Sequence, residues 1–248
     1  MTGPGIGAEA AGRPDLSRRS TAAELMDTET VPFEEFQECL RHLERINICT
    51  FAYRPTFAWL DRLVRRRGTE APLSILDVGY GHGDMLRRIA AWARRRGVAV
   101  RLAGVDLNPW SARAAEAATP PGLPIRYHVG DVFDWPDGEP VDVVISSLFA
   151  HHLPDRELVR FLRWMDGRAR AGWFVNDLHR HALPYGVVRA AAGLLPVNRM
   201  VRHDAPLSVA RAFTRQDWEG LIARGGLDPE RVRVEWFFPF RYGVGAMR

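Results

Sequence analysis

The sequence predicts an α/β fold: a mostly parallel sheet with helices on both faces, behind a helical segment at the start. Three observations carry this. From Leu73 to Asn176, short and almost wholly apolar runs alternate with helical ones. The hydrophobic period changes at Leu73, from spacings of three and four to unbroken apolar stretches. Two more strand-like runs then close the chain in quick succession. Apolar runs without in-out alternation are strands buried on both faces, which is the mark of a parallel sheet covered by helices.

Taken in order, Met1 to Thr21 is rich in Gly, Ala, Pro and Ser and reads as a loose tail. Nothing apolar and long enough for a signal peptide follows Arg18 and Arg19. Phe33, Phe36, Leu40, Leu43 and Ile46 mark one helix, and Pro55 opens a second through Phe57, Leu60 and Leu63, so residues 22–70 read as a helical cap. The main domain spans 71–248. Its strands are Leu73 to Val78, Val98 to Val105, Ile125 to Val129, Val141 to Ser146 and Gly172 to Asn176, and its helices are Gly83 to Arg95, Pro109 to Ala118 and Asp155 to Arg168. An insertion over 178–213, apolar and broken by Pro184 and Pro196, reads as a lid, although an amphipathic membrane-surface helix would look similar. Thr214 with Asp217 three residues on forms a capping box for a further helix. Val232 to Phe238 and Phe240 to Ala246, on either side of Pro239, are the closing strands.

Composition narrows the chemistry. The 248 residues are 46% hydrophobic and 26% charged, as in an ordinary globular chain. All 34 basic residues are arginine. Without lysine there is no Walker A loop, no Schiff-base amine and no kinase strand lysine, and arginine, always protonated, is no general base. The net charge of +4 does not point to nucleic acid. The runs Arg65 to Arg67 and Arg94 to Arg96 fall where helices close, and cations favour that end of the dipole. Basic stripes interleaved with aromatic residues are missing. Cys39 and Cys49 are too few for a disulfide framework or a zinc finger, which points to the reducing cytoplasm. The scattered histidines show no compact ligand spacing, so no metal is expected. No run of 18 apolar residues predicts a spanning helix.

The first strand runs into Asp77-Val78-Gly79-Tyr80-Gly81-His82-Gly83-Asp84. A turn without Cβ atoms lets backbone amides and a helix N-terminus approach a polar ligand, though a plain tight turn has the same composition. The third glycine falls one residue earlier than in the dinucleotide fingerprint, which disfavours a pyrophosphate. The second strand ends at Val105-Asp106-Leu107, where an acidic residue can take both ribose hydroxyls, and the third ends at Gly130-Asp131-Val132. A single such Asp also serves as a helix cap. Three successive strand tips with Asp or Gly sit where ligands bind in parallel sheets.

With Asp142-Val143-Val144-Ile145-Ser146-Ser147 added in that order, Leu73 to Arg248 resembles class I methyltransferases dependent on S-adenosylmethionine. The resemblance implies a Rossmann-like seven-stranded sheet whose last strand is inserted antiparallel. It also implies that Asp77, Gly79, Gly81 and Gly83 hold the methionine end, Asp106 with Leu107 the ribose side, and Asp131 with Val132 the adenine, with Ser147 beside the donor. Tyr80 is bulkier than the residue usual there. Tyr53 or Arg54 is the candidate for the methionine carboxylate, with packing of the cap as the alternative. Leu148 to Leu153, Asn176-Asp177-Leu178 and Val201 to Asp204 resemble small-molecule methyltransferases of bacterial secondary metabolism, those that act on phenolic and polyketide-derived molecules. That resemblance implies a phenolic hydroxyl or an activated ring carbon as acceptor, a quinone or isoprenoid precursor as the alternative, S-adenosyl-L-homocysteine as product, and possible homodimers. A binding subunit that keeps the fold without turnover is the reading from another class.

A phenol near pKa 10 benefits from losing its proton, and histidine suits that task. His152 and then His151 follow the fourth strand on the donor's edge, and His203 beside Asp204 is the third candidate base.

Overall fold

The computed structural model describes residues 15–248. A seven-stranded sheet has the order β3-β2-β1-β4-β5-β7-β6. The strands are β1 Leu73–Val78, β2 Val100–Asp106, β3 Ile125–Val129, β4 Val143–Ser147, β5 Gly172–Leu178, β6 Arg233–Phe237 and β7 Arg241–Met247. Strands β1 to β5 pair in parallel, and β7 enters antiparallel between β5 and β6. The chain order reverses at β1 and β4, which makes the crevice beyond their carboxyl ends the switch point of the sheet.

The helices are α1 Leu25–Thr28, α2 Phe33–Cys49, α3 Arg54–Arg67, α4 Asp84–Arg96, α5 Pro109–Ala118, α6 Asp155–Arg168, α7 Ala182–Leu194, α8 Arg199–Arg211 and α9 Arg215–Arg224. Alternate strand residues feed two cores. Val144 and Val175 pack with Phe161 and Leu162 of α6 and Trp218 of α9, whereas Val143, Ile145 and Phe174 pack with Trp59 of α3 and Ile89 of α4. Trp59 stacks on Phe174 at 5.4 Å between ring centroids. The antiparallel strand needs its glycines: a Cβ on Gly243 would stand 2.5 Å from the Phe174 ring, and one on Gly245 2.4 Å from the Trp173 carbonyl. The capping box closes on both sides, with Thr214 and Asp217 exchanging side-chain to backbone bonds.

Part of the expected tail is fixed. Residues 1–14 lie outside the described residues, but the Ser20 amide donates to the Ala210 carbonyl at 3.0 Å and Arg19 Nε to the Arg211 carbonyl at 2.8 Å. Buried Arg180 donates to the carbonyls of Leu16 and Ser17. Residues 15–21 are thus a strap and not a loose tail, because Arg180 of the insertion binds their main chain while Arg19 and Ser20 donate to carbonyls at the end of α8. The insertion folds as the α7–α8 hairpin, closed at its base where the Arg180 amide meets the Phe213 carbonyl at 2.9 Å. Helix α8 packs through Met200 and Val201 on Phe36 and Leu40 of α2. Among the described residues no helix is long and apolar enough to cross a membrane.

Candidate functional site

At the carboxyl ends of β1, β2 and β4 the strands, the N-terminal helices and the insertion enclose a cavity of about 950 Å³. A pocket of about 40 Å³ opens between Asn47, Tyr53, Asp77, Asp84, Ser147 and Asn176. The glycine turn forms the floor. Gly79, Gly81 and Gly83 all have positive φ, of 73°, 50° and 69°. A Cβ on Gly79 would reach within 2.6 Å of the Phe149 ring, and one on Gly83 within 2.5 Å of the Tyr127 hydroxyl, so these positions require glycine twice over. The Tyr80 ring packs on β2, where Gly104 leaves it room, since a Cβ there would lie 2.5 Å from the ring.

Three carboxylates surround this turn, and burial governs each. Asp77 is 2% exposed and makes no hydrogen bond through its side chain to any described residue; burial, with Asp84 and Asp106 nearby, pushes its pKa well up. Burial also raises Asp84, against the opposing bond from the Tyr53 hydroxyl at 2.5 Å. Burial raises Asp106 although its carboxylate accepts from the amides of Gly81 at 3.0 Å and Asn108 at 2.9 Å. Leu107 beside it is 68% exposed on the cavity wall. Asp131 caps a short 3-10 turn by accepting from the Phe133 amide, and Val132 lines the cavity next to it. Asn176 donates to the Ala52 carbonyl at 2.7 Å, while its Oδ1 is buried without a partner.

Past β4, Leu148 takes a left-handed backbone (φ 57°). Its amide is held by the Asn176 carbonyl at 2.8 Å. This turn carries Phe149, His151 and His152 onto the far wall of the cavity. His151 is 3% exposed and its Nδ1 lies 2.7 Å from Asp177 Oδ1. Burial alone would raise the Asp177 carboxyl, yet His151 and two backbone amides hold it below its ordinary value. His152 Nδ1 lies 2.8 Å from Asp27 Oδ2. Against the burial that lowers it, the Asp27 hydrogen bond and Glu24 hold the His152 pKa above its usual value.

Two expected residues lie elsewhere. Arg54 is exposed at the start of α3, with its guanidinium over the Phe51 ring at 5.5 Å, so of the pair only Tyr53 enters the pocket. His203 is half exposed and lines neither pocket; its Nδ1 meets Asp204, whose carboxylate also accepts from the Leu25 and Met26 amides and so fixes α1. The sequence reading missed Glu24, Asp27 and Arg241. Arg241 is 3% exposed on β7, with Nη2 on Thr50 Oγ1 at 3.0 Å and with Nε and Nη1 unpartnered; burial pushes it down to about 10. No motif marks these three, because each reaches the cavity from a distant part of the chain.

The seven-stranded order, with its antiparallel β7 and helices on both faces, is the Rossmann-like methyltransferase fold. Residues 75–172 match the family model described as "Methyltransferase domain". The chain is 29% identical over 150 residues to trans-aconitate 2-methyltransferase of Mycobacterium tuberculosis, covering 59% of this chain and 53% of that one. It is 32% identical over 126 residues to the dTDP-4-amino-2,3,4,6-tetradeoxy-D-glucose N,N-dimethyltransferase of Saccharopolyspora spinosa, covering 51% and 42%. The chain thus spans about half the length of the curated relatives it matches. Among solved structures, the plantazolicin methyltransferase BpumL with a triazolic desmethylPZN analog and SAH superposes with a TM-score of 0.57 at 14% identity, over 90% of this chain and 88% of that one. LepI in complex with SAM gives 0.54 at 16% identity, over 76% and 46%. At these identities the structural likeness speaks for the fold alone.

Proposed function

We propose that the protein transfers the methyl group of S-adenosylmethionine to the hydroxyl of a small phenolic or polyketide-derived molecule. The observation that carries this is Asp77, a buried carboxylate beside two others and without a partner. Such a group is costly unless a cation meets it. The donor brings an ammonium and a sulfonium, and the orphan Oδ1 of Asn176 accepts from the same ammonium. Asp106 takes the ribose hydroxyls, Leu107 and Val132 flank the adenine, and Asp131 stands at its edge. Ser147 lies beside the sulfonium. Arg241, not Arg54, meets the methionine carboxylate. The bound donor supplies an activated methyl carbon, so the protein mainly contributes alignment, about 7–11 kcal/mol where the geometry is good.

The acceptor half of the cavity is walled by Phe36, Leu40, Leu43, Phe149, Phe161 and Val188, which suits an aromatic ring. His152 and His151 stand at its edge, each with Nδ1 engaged by a carboxylate and Nε2 left to take the acceptor's proton. Residues 22–70 and the 178–213 insertion cover the site as cap and lid. The test is release of S-adenosylhomocysteine with a panel of phenols, with a deuterated methyl group traced by NMR to oxygen or to carbon. Donor binding without product from any phenol, amine or carboxylic acid overturns the turnover part of the proposal. Arg241→Met weakens the donor at least tenfold by calorimetry, whereas Arg54→Ala changes it less than about twofold, as for surface residues in general. The reverse order removes Arg241 from the donor site.

A further inference from the structure

We infer that Glu24, His151 and His152 form a binding site for one divalent transition-metal cation in the acceptor half of the cavity. His151 Nε2 lies 3.8 Å from Glu24 Oε1, and His152 Nε2 lies 3.9 Å from Glu24 Oε2. These separations are too long for hydrogen bonds and are close to those of ligand atoms that share one ion at about 2.0–2.2 Å each. The three ligand atoms all lie within 4.8 Å of one another. The two imidazole rings are 4.4 Å apart between centroids, so both Nε2 atoms face the same carboxylate.

The surroundings are those of a metal site and not of a chance cluster. Each imidazole has its Nδ1 on a second carboxylate, Asp177 for His151 at 2.7 Å and Asp27 for His152 at 2.8 Å. This carboxylate–histidine arrangement fixes the tautomer and turns Nε2 towards an ion. Glu24 is 3% exposed, and among the described residues its one side-chain hydrogen bond is from the Ser208 hydroxyl to Oε1 at 3.1 Å, which leaves Oε2 facing the imidazoles. The nearest cation, Arg211, has its Nε 3.7 Å from Glu24 Oε1. Its guanidinium is already spent on the carbonyls of Ala22, His151 and His152, so it holds the main chain on both sides of the site. Arg211 faces Glu24 and Asp27, and Arg19 and Arg241 act on Asp177 behind the first imidazole, so the geometry of the Nε2 and carboxylate atoms, and not net charge, favours a cation here.

Two imidazoles and one carboxylate suit zinc, cobalt or nickel, with positions left open for water or an acceptor oxygen. Sequence spacing hides the set because Glu24 comes from the N-terminal segment and the histidines from the turn after β4. The consequence for catalysis rests on the function proposed above. A hydroxyl oxygen bound to the cation loses its proton to water, its electron pair forms the bond to the methyl carbon, and the carbon–sulfur pair leaves on S-adenosylhomocysteine. The two histidines then act as ligands and not as a base.

The untagged full-length chain, stripped with a chelator, is titrated with cobalt(II) and followed by visible absorption and calorimetry. One ion per chain is expected, with d–d bands that vanish in Glu24→Gln and His152→Ala and persist in His203→Ala. Asp27→Asn, which keeps the ligands and changes only their support, lowers cobalt affinity by about 10–100-fold. Absence of bands in a folded wild-type chain, or bands and affinity unchanged in Glu24→Gln and His152→Ala, overturns the site. Titration of the stripped protein with S-adenosylmethionine reports separately on the methyltransferase reading, which stands if the donor binds and cobalt does not.

Discussion

Alanine at both His151 and His152 lowers kcat by about 10²–10⁴-fold for a weakly acidic phenol while donor affinity stays within a few-fold of the parent. The reason is position: both rings stand beyond Leu148 on the wall of the larger cavity, whereas Asp77 lines the smaller pocket under the glycine turn. An acceptor whose hydroxyl is already acidic loses much less, since less proton transfer remains to be assisted. This holds whether the imidazoles take the proton themselves or hold a cation that lowers the pKa of the bound hydroxyl. Turnover within a few-fold of the parent in the double variant would leave catalysis to alignment alone.

The second large effect concerns Asp77 and has two parts of opposite sign. Asp77→Asn weakens S-adenosylmethionine by about 2–5 kcal/mol, because the donor's cation loses a desolvated charged partner. The same change raises the melting temperature of the ligand-free protein at neutral pH. Burial raises the carboxyl's folded pKa above its unfolded value, so its stabilising contribution is complete below the unfolded pKa and is lost as pH rises through the folded one. Ionised Asp77 is therefore a cost that the amide removes, with about 2–4 °C gained for each kcal/mol in a chain of this size. Acid acts on the donor in the same direction as the amide. As pH falls through the raised pKa values of Asp77 and Asp106, both carboxylates take up protons and donor affinity drops. Equal melting temperatures, or donor affinity independent of pH in acid, would place the cation elsewhere.

These two sites were legible in the sequence to different degrees. The glycine turn, Asp77 and Asp106 are local: a strand, a tight turn and a helix start specify them within a few residues. His151 and His152 are local too, as the residues after a strand tip. Their partners are not. Asp27 and Glu24 come from a segment whose composition marks nothing, and they meet the histidines only because Arg211 and Asp204 of α8 bind that segment's main chain. Asp177 stands in the sequence beside Asn176, but strand alternation sends its carboxylate to His151 and the Asn176 amide towards Ala52. Tyr80 is bulky for its loop, and the space for it comes from Gly104 on the next strand, which nothing local to the turn signals. Arg54 misled because a charged residue at a helix start is equally placed for a ligand or for solvent, and here an exposed ring, Phe51, holds it outside.

The central claim is that the buried acidic floor is built for the cationic methyl donor, and calorimetric titration of the ligand-free chain tests it most directly. One S-adenosylmethionine per chain is expected in the micromolar range, with S-adenosylhomocysteine binding at the same site. Asp106→Ala should weaken both by about 1.5–3 kcal/mol as the ribose hydroxyls lose a charged acceptor. Tight NAD binding with no heat from either adenosylated ligand would contradict the account.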